Sequence, residues 1–167
     1  MKKKMEKAFN RQVNAELYSS YLYLAMESYF QSISLSGFAK WMRGQVQEEM
    51  FHGIKIYDYI HERGGRACFE AIQKPETEWK SPLVAFEHIL AHEQKVTELI
   101  NDLIDTAMDV RDHAAKAFLN WFIIEQVEEE ATVGEIVDRL RLIGDDSSGL
   151  FHLDSELGKR VFTLPAK

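Results

Sequence analysis

One cysteine, three prolines and no long apolar run are the main absences in this 167-residue sequence. With Cys68 alone no internal disulfide can form, which fits a reducing compartment and predicts a cytoplasmic protein. No stretch approaches about eighteen consecutive apolar residues, so neither a membrane span nor a membrane partner is expected. The opening MKKKMEKAFNRQ is basic but has no apolar run behind it, so no secretory signal is expected. A formal charge of −7 without clustered Lys and Arg argues against nucleic acid as a partner. Such a charge attracts cations, although it also serves solubility. HExxH, Gly-rich phosphate loops, CxxC pairs and EF-hand loops are all missing.

The scarcity of proline leaves long segments rich in Glu, Lys, Leu, Ala, Met and Gln with a period near 3.6, so the fold class is all-α. A chain of this length fits one domain, residues 1–167, that buries roughly 68–70% of its unfolded surface. The first helix is expected over about Met5–Phe30 and, after the turn SISLSG, a second over about Phe38–Arg63, stopped by Gly64-Gly65. Ser81-Pro82 reads as an N-cap with proline at the first helical position, opening a third helix that ends near Met108. The turn DVRD leads into a fourth helix ending near Ile143, and a short fifth over about Leu150–Leu157 follows GDDSSG. Between Gly64 and Ser81 the connection GGRACFEAIQKPETEWKS is long. Extended, it reaches roughly 56 Å, whereas a helix of about 26 residues is roughly 39 Å long. That length allows two antiparallel hairpins joined by an end-to-end crossover.

Along one face of each helix runs a stripe with steps of four and three. The stripes are Phe9, Val13, Glu16, Ser20, Tyr23; then Phe38, Met42, Gln45, Glu49, His52, Ile56; then Phe86, Leu90, Glu93, Thr97, Ile100; and Leu119, Phe122, Gln126, Glu129, Val133. Each is apolar at its ends and polar near its middle. A shift of 77 carries Glu16 to Glu93, Glu48 to Glu125, Glu49 to Gln126 and His52 to Glu129. The shift is selected on these carboxylates, and the apolar positions it also carries, Phe9 to Phe86 and Met42 to Leu119, support it. The two hairpins thus read as diverged copies with their polar residues at one level.

Buried carboxylates facing one another repel, and an unpaired one is costly. A bound cation removes the conflict, because carboxylate oxygen and imidazole nitrogen are its ligands. A Glu from each of two helices with a Glu-x-x-His pair is the pattern of dinuclear iron or manganese bundles. Here Glu49-x-x-His52 is that pair, and the fourth helix carries Gln126-x-x-Glu129 instead. Zinc would also bind such a set. Glu48, Glu125 and Glu128 flank the same level and are candidates for an adjacent third site, although EQVEEE also reads as a solvated face, as Glu130 does. Tyr23 is placed to hydrogen-bond a ligand or to serve as a core tyrosine. His88 and His92 read as surface histidines, and Met50 as core filler rather than a haem ligand.

NAELYSSYLY around Glu16, QEEMFH, AHEQ around Glu93, NWFIIEQVEEE and RLIGDDSSGLFHLDSEL together resemble the non-haem ferritins of bacteria and archaea over nearly the whole chain. The resemblance implies a ferritin-like four-helix bundle, with a short C-terminal fifth helix, that assembles into a cage of twenty-four subunits. It also implies iron as the metal, and iron storage with ferroxidase activity, in which a dinuclear centre oxidises Fe(II) with O2 or H2O2 and delivers a ferric mineral. Motif by motif, Glu16, Glu49 and His52 would hold one iron. Glu49 would bridge to a second held by Glu93 and Glu129, with Gln126 alongside. Glu48, Glu125, Glu128 and Glu129 match a third iron site, Tyr23 the tyrosine near the centre, and Trp121 a residue of electron transfer or of packing. Bacterioferritin resembles the chain in Glu49-Met50-x-His52 but has a second Glu-x-x-His on the fourth helix, so haem is not expected. A non-storage diiron oxidoreductase and a purely structural helical oligomer are the other readings. No cysteine pair is present for a rubredoxin-type iron.

Overall fold

Five helices follow from this pattern: α1 (Lys3–Ser32), α2 (Ser36–Glu62), α3 (Pro82–Asp109), α4 (His113–Ile143) and α5 (Ser147–Leu157). The computed structural model describes residues 1–161 and 163, and among these there is no strand. No described helix is long and apolar enough to cross a membrane. Helices α1 and α2 form one antiparallel hairpin, α3 and α4 the other, and α1 packs on α3 between them.

Helix ends follow local chemistry. Ser81 Oγ accepts a hydrogen bond from the Val84 amide at 3.2 Å, with Pro82 in the first turn. Asp112 caps α4 through the Ala115 amide at 3.1 Å and also receives Arg63 at 3.0 and 3.1 Å, joining the end of α2 to the start of α4. Helix α5 begins at Ser147, earlier than the expected Leu150, because Asp146 accepts from the Ser148 and Gly149 amides at 3.0 and 3.1 Å. At Gly64, φ +68° allows the paired bonds Gly64 N to His61 O and Gly65 N to Ile60 O that close α2. Ser34 and Arg111 take the same left-handed conformation at the ends of α1 and α3, where periodicity showed only a turn.

The crossover lies along α1. At one end the Asn10 side chain bonds Arg66 O and the Cys68 amide at 3.0 and 2.6 Å. At the other, buried Trp79 packs edge-on against Tyr29 with ring centroids 5.3 Å apart. This crossing lets the second hairpin run beside the first with matched levels.

Two apolar clusters fill the bundle. One holds Met5, Phe9, Ile56, Ile60, Ile100, Leu119 and Phe122, and the other Met26, Phe30, Phe38, Met42, Phe86, Ile89 and Val133. Between them lies a buried polar layer of Glu16, Glu49, His52, Glu93, Gln126 and Glu129.

Helix α5 docks on the start of α2. The N-cap position of α2, Leu35, offers no side-chain acceptor, and Asp154 Oδ1 of α5 accepts from the Gly37 and Phe38 amides instead, at 2.8 and 3.0 Å. A Cβ on Gly37 would sit 1.7 Å from the Asp154 carbonyl oxygen. Gly37→Ala is therefore expected to push α5 off and cost about 1–3 kcal/mol, read as a lower thermal midpoint; an unchanged midpoint would show that α5 contributes nothing there.

Candidate metal centre

Each hairpin contributes carboxylates to the polar layer because steps of three and four keep one helix face inward. Glu16 is 1% exposed, Glu49 and His52 2% each, and Glu93 1%, so these charges have almost no water to solvate them. Ligand atoms of Glu16, Glu49 and His52 lie within 4.8 Å of one another. His52 Nδ1 is 3.8 Å from Glu49 Oε2. Glu16 Oε1 accepts from Gln12 Nε2 at 2.8 Å, whereas Glu16 Oε2 and His52 Nε2 are buried with no hydrogen-bond partner. Unpartnered buried polar atoms of this kind are rare in native interiors, and Glu16, Glu49 and His52 together offer the oxygen and nitrogen donors that a cation takes.

Glu93 and Glu129 complete the layer from the second hairpin. Tyr23 donates its hydroxyl to Glu93 Oε1. Gln126 Nε2 donates to Glu93 Oε2 and Thr97 Oγ1, each at 3.3 Å, and Thr97 donates to Glu130 at 2.5 Å. Gln45 Nε2 donates to Glu129 Oε2 at 2.9 Å. Both oxygens of Glu93 and one of Glu129 are thus engaged with amide and phenol donors, and these residues do not join the tight set around Glu49.

Protonation follows burial. Burial, then the charges of Glu93, Glu16 and Glu129, drive the Glu49 carboxyl well above the usual range. Burial pushes Glu93 up to about 7 against the donors Tyr23 and Gln126. Burial, with Glu48 and Glu93 adding, pushes Glu129 up to about 8. Burial lowers His52, which keeps the imidazole neutral at pH 7 and a lone pair free for a metal. Burial also raises Tyr23, which stays a phenol and a donor.

Outside this layer, Glu48, His52 and Glu125 form a second set whose ligand atoms meet within 4.8 Å. Glu128 is exposed and lies outside that set, although its charge helps burial to raise Glu125. Trp121 is half-buried and edge-on to His52, ring centroids 5.4 Å apart, with Lys55 Nζ 4.4 Å above its indole. Met50, read as core filler, is instead exposed on the outer face of α2.

Besides Met50, two histidines and Glu130 depart from expectation. His92 is not a surface histidine: it is largely covered, its Nε2 is 2.8 Å from Ser19 Oγ, and burial lowers its pKa to about 4. His88 is likewise half-buried and accepts from Trp79 Nε1 at 3.0 Å, because the crossover covers this side of α3. Glu130 is only partly solvated: it is half-buried and accepts from Thr97. Sequence reasoning also missed four supporting residues. Gln45 stood on the stripe as a polar interruption and Gln12 lies one turn before Glu16, so both left a signal. Thr97 stood on its stripe as well. Arg160, which reaches Glu48 and Gln45 from beyond α5, left none.

A model of the ferritin-like domain matches residues 6–143. A bacterial non-heme ferritin of Bacteroides fragilis (strain 638R) is 46% identical over 157 residues, covering 94% of this chain and 98% of that protein. The bacterial non-heme ferritin of Staphylococcus saprophyticus is 46% identical over 162 residues, 97% of each chain. Among solved structures, a closed form of the Archaeoglobus fulgidus ferritin made by site-directed mutagenesis superposes with a TM-score of 0.96 at 53% identity, covering 98% of this chain and 99% of that one. An open-pore ferritin from the same hyperthermophilic archaeon gives 0.95 at 52% identity, with 96% and 98% covered. With helices, crossover and buried carboxylate layer all in agreement, the chain belongs to the ferritin family, in its non-haem branch.

Proposed function

We propose that this chain is a ferroxidase and iron-storage subunit: it oxidises Fe(II) with O2 or H2O2 and stores the ferric product as a mineral inside a cytoplasmic cage of 24 copies. The observation that carries the reading is that ligand atoms of the buried Glu16, Glu49 and His52 converge within 4.8 Å, a donor set suited to a cation. Glu16, Glu49 and His52 hold one Fe(II). Glu49 shares its carboxylate with a second Fe(II) held by Glu93 and Glu129, with Gln126 alongside. All five are ligands in the one ferritin-like domain, residues 1–167.

Iron enters as substrate. The chain's own work is to present hard oxygen donors, which favour Fe(III) over Fe(II). Two Fe(II) lose one electron each, and O2 takes both with two protons to give H2O2; H2O2 takes two electrons and two protons to give two waters. Glu93 and Glu129, holding protons near neutrality, release them as the metal binds. Tyr23 orients Glu93, and Gln45 orients Glu129. Glu48, Glu125 and Glu128 on the outer side receive ferric ions or relay electrons. Exposed Tyr21, Leu24, Ile54, Tyr57, Phe69 and Ile72 on α1, α2 and the crossover support self-association.

Anaerobic loading with two Fe(II) per chain, then rapid mixing with O2, tests the reading. Fast oxidation followed by ferric growth well beyond the loaded iron is expected. Oxidation that stops at the loaded iron would sink storage, and oxidation at the buffer rate would sink the ferroxidase as well.

A further inference from the structure

Arg160 lies three residues beyond the last residue of α5, Leu157, outside the four-helix bundle. Its guanidinium nevertheless reaches the edge of the metal centre. Nη2 donates to Glu48 Oε2 at 2.8 Å, and Nη1 donates to Gln45 Oε1. The guanidinium also lies over the Trp41 indole, 4.7 Å from the ring centroid. Both partners of the ion pair are largely covered, with side chains 27% and 13% exposed.

Gln45 passes the contact inward. With its oxygen accepting from Arg160, the same amide points Nε2 at Glu129 Oε2, 2.9 Å away. One cation therefore sets both an outer carboxylate, Glu48, and, through an amide, an inner one, Glu129. The placement depends on α5, because Asp154 fastens that helix to the start of α2 and buried Leu153 and Leu157 hold it there. Glu48 also belongs to the outer set with His52 and Glu125. The guanidinium holds Oε2 of Glu48, so a metal ion that takes this carboxylate competes with it for that oxygen and is repelled by its charge.

We propose that Arg160 is a positioning residue that occupies Glu48 as a built-in counter-cation, orients Glu129 through Gln45, and must swing off Glu48 before a third metal ion binds there. Filling of the outer site is thereby tied to release of the segment after α5. The inference rests on the dinuclear-centre reading above and adds to it a device that ranks the sites: the inner pair fills first.

Zn(II), which undergoes no redox change, separates the two ideas by calorimetric titration of the metal-free assembled protein. The native protein is expected to bind two Zn(II) per chain tightly and a third weakly. Arg160→Gln is expected to tighten the third about tenfold and to weaken the second, which Glu129 holds, by about threefold or more, while changing the first less than about twofold. Arg160→Lys keeps the charge without the two-armed grip, so the third ion is expected to bind about threefold tighter than in the native protein. In a Glu48→Gln background, Arg160→Gln is expected to leave binding of the third ion unchanged, because the contact it relieves is already gone. A third ion bound equally or more weakly in Arg160→Gln, or a Lys variant indistinguishable from native, overturns the proposal. Melting curves recorded alongside identify a variant that fails to fold, and the Lys comparison then decides. If the native protein binds no Zn(II) at all, the dinuclear-centre reading fails instead.

Discussion

Replacing Glu49 with alanine is expected to abolish the fast phase of Fe(II) oxidation, lowering its rate by at least about a hundredfold, since loss of outer-sphere partners alone costs 10–100-fold. Glu49 is the one carboxylate that sits in the tight set with Glu16 and His52 and is also close enough to Glu93 and Glu129 for their charges to raise its pKa. In the proposed centre, its removal would deprive the two ions of their shared ligand, so that O2 could not draw electrons from both. Glu49→Gln keeps the volume, removes one of the repelling charges and is expected to show the same kinetic loss. Its metal-free thermal midpoint at pH 8 should match or exceed the native one, which separates a missing ligand from a damaged fold. Stopped-flow absorbance at the ferric band decides: native kinetics in either variant would remove Glu49 from the mechanism. Glu128→Ala, changing an exposed residue outside the ligand sets, is expected to alter stoichiometry or later turnover while sparing the first fast phase.

The second large effect is on stability against pH. Glu93 and Glu129 have folded-state values of about 7 and about 8, above the ordinary 4.5. A carboxyl raised on folding binds its proton more tightly when folded, so between these values the folded state holds more protons than the unfolded one. Stability therefore falls as pH rises from about 5 to about 8, flattens above, and is intact below the unfolded value. The shifts correspond to roughly 3 kcal/mol for Glu93 and roughly 5 kcal/mol for Glu129 once each is fully ionised. Zn(II) should reverse the loss, because it binds the ionised carboxylates of the folded state; at a hundred times its Kd it adds about 2.7 kcal/mol per site. Thermal melts of metal-free and Zn(II)-loaded protein between pH 5 and 9 measure this. A metal-free midpoint that stays level across that range would mean the layer carries its charges without strain, contrary to its burial.

The same residues show what could be read from the chain in advance. Glu16, Glu49, His52, Glu93, Gln126 and Glu129 stand on stripes whose period is set by the α-helix itself, and the structure brings them to one buried layer. Ser81-Pro82 and Gly64-Gly65 marked helix ends because capping and left-handed geometry act within a few residues. Ser34 and Arg111 take the same left-handed geometry without glycine, inside the turns SISLSG and DVRD that the sequence marked without showing which residue would adopt it.

Residues whose surroundings come from another helix or from a loop were harder to place. His92 looked solvated beside the Glu93 stripe, yet Ser19 of α1 and the nearby crossover enclose it. Glu130 sat in an acidic run, yet Thr97 of α3 binds it. The hydroxyl of Tyr23 finds Glu93 across the bundle, and Gln45 finds Glu129. By itself the sequence determined the helices, their pairing into hairpins and which residues form the polar layer, because periodicity, caps and loop length are local properties of a chain. Only the tertiary structure decided which donor meets which carboxylate, which acceptors are left for a metal, and that Arg160 returns from beyond α5 to Glu48, because those contacts join residues up to 115 positions apart through packing that no local pattern encodes.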